Sequence, residues 1–112
     1  KDNLIRFLLD AKSNGKSVAG YGAAAKGNTL LNYAGVRKDL IPFICDAAKS
    51  KIGKYMPASH IPILHPSALE TNRPDYIIIL PWNIADEVIL QNEHLAKLGT
   101  KFVIAVPKLK II

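Results

Sequence analysis

Residues 76–80 read Tyr76-Ile77-Ile78-Ile79-Leu80, apolar at every position. A strand with one wet face alternates apolar and polar residues, so an unbroken run of this kind belongs to a strand covered on both faces, the signature of a central parallel strand. Similar runs precede and follow it. Ser17-Val18-Ala19-Gly20 reads as a short buried strand, Ile41 to Cys45 as a second, and Phe102 to Val106 as a last one ended by Pro107. Ile61-Pro62-Ile63 reads as a short or edge strand, because Pro62 has no N–H to give to a ladder.

Helical patterns lie between these runs. Leu4, Ile5, Leu8 and Leu9 recur at helical spacing, and Asn14-Gly15 stops that helix. A second helix is predicted from Lys26 to Tyr33, ending near Gly35, and Pro66 to Glu70 suits one or two turns. Ile84 to Leu98 reads as one helix with Val88, Ile89, Leu95 and Leu98 turned inward, ended by Gly99. Ala47 to His60 lacks periodicity and reads as a long basic loop. Strands alternating with helices predict an α/β fold with a Rossmann-like, doubly wound, mainly parallel sheet of about five strands flanked by helices.

At 112 residues the chain suits one domain over residues 1–112. It begins with Lys1, so the expectation is a domain excised from a longer protein. No apolar run approaches the ~20 residues of a membrane span, and no signal peptide is visible, so no membrane partner is expected. Cys45 is the sole cysteine, which excludes an internal disulfide and agrees with a reducing cytoplasm; its place in a strand favours an inert core thiol. His60, His65 and His94 have no metal-ligand spacing with it, so no metal site is expected, and none stands in a catalytic motif. The formal charge of +6 favours anionic ligands. Nucleic acid is not expected, because the lysines at 49, 51 and 54 and at 108 and 110 are not interleaved with aromatic residues.

Ligands of such sheets lie at the carboxyl ends of the strands, where strand order reverses. Three segments are expected there: Gly20 to Thr29, Asp46, and Pro81-Trp82-Asn83. Gly20-Tyr21-Gly22-Ala23-Ala24-Ala25 fits G-x-G-x-x-G/A, a turn that lets a phosphate reach the backbone and the start of the next helix. Lys26 would add charge, and Asn28 and Thr29 neutral donors. Tyr21 reads as a ligand contact or a lid. The pattern serves either phosphate binding or tight packing. Asp46 stands where a dinucleotide domain keeps its ribose-binding acid, roughly 20 residues past the turn, or it is a solvated strand end. Trp82 suits ring stacking or core anchoring, and Asn83 suits a ligand or a helix cap.

The stretch from Val18 through Gly20-Tyr21-Gly22-Ala23-Ala24-Ala25-Lys26-Gly27-Asn28-Thr29 to Tyr33 resembles the signature of the C-terminal domain of sugar C-methyltransferases. Gly53-Lys54-Tyr55-Met56-Pro57, Pro74 to Asn83 and Phe102-Val103-Ile104 agree with it, so the likeness covers nearly the whole chain. It departs at Ala47-Ala48-Lys49, where a more polar turn is usual, and at Ala58, where the family often has Gly. The resemblance implies a parent enzyme that uses S-adenosylmethionine to methylate a carbon of a nucleotide-linked keto sugar. It implies upstream zinc-binding and methyltransferase domains in the same chain. S-adenosylmethionine and the catalytic acid/base residues belong to those upstream parts, with no cofactor or catalytic residue expected in residues 1–112. This domain would hold the nucleotide diphosphate sugar through Gly20, Tyr21, Gly22, Lys26, Asn28, Thr29, Asp46, Trp82 and Asn83. Two other readings of the residues stay open: an NAD(P)-binding domain, and a non-catalytic packing or dimerisation domain with an empty turn.

Overall fold

A computed structural model describes residues 2–105 and 108–112. Helix α1 (Asp2–Ser13) leads into strand β1 (Val18–Tyr21), helix α2 (Ala25–Ala34) and strand β2 (Ile44–Cys45). Strand β3 (Ile63–Leu64), the single turn α3 (Ala68–Thr71) and strand β4 (Tyr76–Ile79) follow. A 3₁₀ turn at Trp82–Ile84 opens helix α4 (Ala85–Gln91), then come α5 (Glu93–Lys97), β5 (Lys101–Ile104) and β6 (Lys110–Ile111).

The sheet runs β3-β2-β1-β4-β5-β6 and is parallel except for the β5–β6 pair. This is the doubly wound order expected of the βα alternation. The chain moves outward from β1 to β3, then returns to lay β4 against β1. Right-handed crossovers therefore place α1 and α2 on one face and the later helices on the other. The period-two alternation of the strands divides the core to match. Val18, Ile44, Ile78 and Leu80 pack with Leu4, Leu8 and Leu31. Ala19, Tyr21, Ile77 and Ile79 pack with Leu69, Val88 and Leu95. Ile77, Ile78 and Ile79 are almost completely buried, as the all-apolar run requires.

Several boundaries differ from the expectation. The sheet has six strands, not about five. β6 escaped notice because its two residues, Lys110 and Ile111, are exposed and carry no apolar pattern. The run Ile41 to Cys45 yields only Ile44–Cys45 as strand, although Ile41 is fully buried. Pro42 cannot supply a ladder donor. β3 starts at Ile63, and Pro62 instead faces Tyr55 across an isolated antiparallel bridge. The expected loop of 47–60 is thus partly an arm of backbone paired against the residues leading into β3, with Met56 N–H bonded to the Ile61 carbonyl at 2.8 Å. The expected helix from Ile84 to Leu98 is broken at Asn92. There the backbone leaves helical geometry at φ −117° and ψ 24°, while the buried Nδ2 and the backbone N–H both donate to the Val88 carbonyl, at 2.8 and 3.1 Å. The break leaves Leu98, expected inside, exposed. Val106 and Pro107, the expected end of the last strand, lie outside the described residues. No helix among the described residues is long and apolar enough to cross a membrane.

Candidate functional site

The strand order reverses between β1 and β4, so their carboxyl ends open a crevice that neither crossover covers. Gly22 and Pro81 meet at its floor. Gly22 has φ +95°, and a Cβ there would come within 2.7 Å of Pro81 Cγ. Both the left-handed conformation and the lack of room therefore demand glycine. The chain then enters α2, whose Gly27 is pressed against Leu80, where an added Cβ would lie 2.7 Å from Leu80 Cβ. Gly27 thus lets helix and strand pack closely. Ala25 is exposed.

Two clefts flank this contact. The first, about 360 Å³, is lined by Ala24, Ala25, Lys26, Gly27, Leu80, Pro81, Trp82 and Asn83. The second, about 350 Å³, lies between Tyr21, Gly22, Asp46 and Ala47 on one side and Ile84, Glu87, Val88 and Gln91 of α4 on the other. They share Ala24 and Pro81. α2 begins at Ala24 with no side-chain cap and no acidic residue in its first turn. Its end therefore offers partial positive charge to the first cleft, and exposed Lys26 adds a full one. Trp82 is about half exposed and Asn83 is exposed, so both present polar or aromatic surface opposite that helix end.

The remaining predicted site residues are placed differently. Gly20 is inside β1, paired with Ile44 and Ile78, not in the turn. A Cβ on it would approach Ile44 Cγ1 to 2.8 Å, so packing alone explains this glycine. Tyr21 is the last residue of β1 and is only 8 % exposed, so it is a wall of the second cleft and not a lid. Burial, followed by the charge of Asp46 and of Cys45, pushes its phenol above the usual tyrosine range, which keeps it neutral. Asn28 and Thr29 line neither cleft. The Thr29 hydroxyl donates to the Ala25 carbonyl at 3.0 Å, one turn back. Asn28 Oδ1 is enclosed and has no hydrogen-bond partner among the described residues. The Thr29 hydroxyl proton is thus already spent within its own helix.

Asp46 borders the second cleft, but its carboxylate is committed to the backbone. Oδ2 accepts the Ala23 N–H at 2.7 Å and Oδ1 accepts the Ala48 N–H at 2.8 Å. The two bonds tie the turn after β1 to the loop after β2. Lys51, which no local pattern singled out, donates from Nζ to the Ala23 carbonyl at 3.0 Å. It is 28 residues from its acceptor, a distance that only the fold closes. Cys45 is fully buried at the end of β2, and its thiol is pushed up to about 12 by burial and then by Asp46. It is the inert thiol expected. Among the described residues no three His, Cys, Asp or Glu side chains are grouped to hold a metal.

Comparison with known proteins agrees with this architecture. The family model of the C-methyltransferase C-terminal domain matches residues 1–107. This chain belongs to that family. C-methyltransferase NovU from Streptomyces niveus is 38 % identical over 109 residues, or 97 % of this chain. The chain spans only 25 % of the length of that relative. In three dimensions it resembles the UDP-D-quinovosamine 4-dehydrogenase from Vibrio fischeri, with a TM-score of 0.61 and 22 % identity, over 87 % of this chain and 93 % of that one. The second likeness shows the Rossmann-type fold and nothing more. The C-methyltransferase C-terminal domain is thus a six-stranded, doubly wound sheet whose crevice is floored by Gly22 and Pro81.

Proposed function

We propose that residues 1–112 are the substrate-holding module of an S-adenosylmethionine-dependent sugar C-methyltransferase. Its first cleft receives the diphosphate of a nucleotide diphosphate sugar. One observation carries the reading: the uncapped start of α2, with Lys26 on it, faces Trp82 and Asn83 across the crevice at the strand-order reversal. Helix dipole, free backbone donors and a lysine together suit an anion. Trp82 supplies an apolar face for a sugar or base ring.

The first cleft does not fit S-adenosylmethionine. That cofactor is a sulfonium cation, and this lining contains Lys26 and no carboxylate. The cofactor belongs to another part of the same chain, together with the acid/base residues and the zinc. No methyl-transfer step runs through the residues described above. Their contribution is to hold the reacting carbon in place, since a reactant held at close range needs no further entropic cost to meet its partner. The protein works in the cytoplasm, where nucleotide sugars are made and thiols stay reduced.

An amide chemical-shift titration of the 112-residue chain tests the proposal. UDP-glucose should shift Ala24, Ala25, Lys26, Gly27, Trp82 and Asn83 saturably, and Lys26→Ala should weaken binding about tenfold, as removal of one charge-assisted contact does. NAD and S-adenosylmethionine should leave these amides unchanged. Tight NAD binding lost in Asp46→Ala would replace the proposal with a dinucleotide domain, and silence toward all three ligands would leave a packing domain. Methyl transfer by this chain alone would also refute it.

A further inference from the structure

The two peptide groups that flank Ala23 are each held by a charged side chain. Asp46 Oδ2 takes its N–H at 2.7 Å, and Lys51 Nζ donates to its carbonyl at 3.0 Å. The two grips are joined through a third residue. Asp46 Oδ1 accepts the Ala48 N–H at 2.8 Å, and the Ala48 carbonyl accepts the Lys51 N–H at 2.9 Å. The circuit Ala23–Asp46–Ala48–Lys51 therefore closes on itself, and each of its four links is a hydrogen bond of ordinary length. Ala23 is the residue between Gly22, at φ +95°, and Ala24, where α2 begins. Its peptide orientation sets the direction in which the next N–H groups leave the turn.

A turn built from Gly22, Ala23, Ala24 and Ala25 has no side chain of its own that reaches back to hold it. The basic loop after β2 supplies that function from outside. We infer that Lys51 and Asp46 are positioning residues for the ligand-facing turn, acting through the backbone on either side of Ala23 and not through contact with the ligand. Lys51 belongs to the loop of 47–60 whose composition reads merely as basic, and Asp46 directly precedes it. The inference rests on the proposed role of the first cleft. It also accounts for Asp46 at the end of β2 in a site that does not need a ribose-binding acid.

Binding of UDP-glucose by Lys51→Met, Lys51→Arg and Asp46→Asn tests it, measured calorimetrically well below each variant's unfolding temperature. Lys51→Met keeps the unbranched apolar stem and removes the donor. It should weaken UDP-glucose about tenfold, while Lys51→Arg, which can still reach the Ala23 carbonyl, should stay within about twofold of the original. A purely structural lysine would lower the unfolding temperature and leave the affinity of the folded protein unchanged, and that result overturns the inference. Hydrogen exchange at the Ala23 amide supplies a reading without ligand. It should be slow in the original chain and faster in both Lys51→Met and Asp46→Asn; fast exchange in the original chain would mean the circuit does not hold the turn. Should the original chain not take UDP-glucose, the proposed function falls, and the exchange result still decides whether the circuit holds the turn.

Discussion

Gly27→Ala isolates the contact that brings α2 against the sheet at the candidate site. In an exposed helix interior the change would stabilise the chain by up to about 1 kcal/mol, because Gly is a poor helix former. Here the new methyl would stand 2.7 Å from Leu80 Cβ, 3.3 Å from its Cδ1 and 3.4 Å from its Cγ. Apolar carbons prefer about 3.5–4.0 Å, so the helix must retreat by about 1 Å. Leu80 Cβ is fixed to the end of β4 and cannot swing away. Overpacking of this kind costs about 1–3 kcal/mol. The net expectation is a loss of about 1–2 kcal/mol, seen as a drop of about 5–10 °C in the unfolding midpoint for a domain of this size. Thr29→Ala, exposed in the same helix, is the control and should hold or raise the midpoint. Leu80→Ala in the Gly27→Ala background should not restore stability, because alanine retains the Cβ that makes the closest contact. A Gly27→Ala chain as stable as the original would refute the packing argument, and the placement of the α2 start with it.

Three further outcomes are expected. Ala58 has φ +67°, a conformation that costs a non-glycine residue about 1–2 kcal/mol, so Ala58→Gly should raise stability by about 0.5–1 kcal/mol in urea melts after the looser unfolded chain is counted. Cys45, pushed from its ordinary 9.0 to about 12, should resist a disulfide reagent at pH 8 in native buffer and react at once in denaturant. The same shift makes stability pH-dependent. Above pH 9 the unfolded thiol ionises while the folded one keeps its proton, so stability should fall by about 1.4 kcal/mol per pH unit toward pH 12, with a shallower decline in Cys45→Ala. Trp82 is the sole tryptophan and about half exposed beside the first cleft, so UDP-glucose should change its fluorescence, with a titration midpoint about tenfold higher in Lys26→Ala.

Much of the fold was written in local pattern. The all-apolar run at 76–80 required a strand covered on both faces, and the alternation of such runs with helical spacing left the doubly wound sheet as the natural topology. The exact bounds of the short elements were less legible. β6 has no apolar signature, and β3, read as a short edge strand, begins only after Pro62. Asn92 departs from helical geometry between α4 and α5, which periodicity does not register.

The site divides along the same line. Sequence by itself determined that small residues follow β1, that Lys26 opens the next helix, and that Trp82 and Asn83 follow β4, because these depend only on neighbours along the chain. Tertiary structure alone decided which of them line a cleft. It put Gly20 and Tyr21 inside the sheet, spent the Thr29 hydroxyl on its own helix, and pressed Gly27 against Leu80. It also joined Ala23 to Asp46 and Lys51, 23 and 28 residues away. A short-range pattern specifies backbone direction, but a hydrogen bond between distant residues exists only after β1 and β2 have paired, and that pairing is a property of the whole sheet.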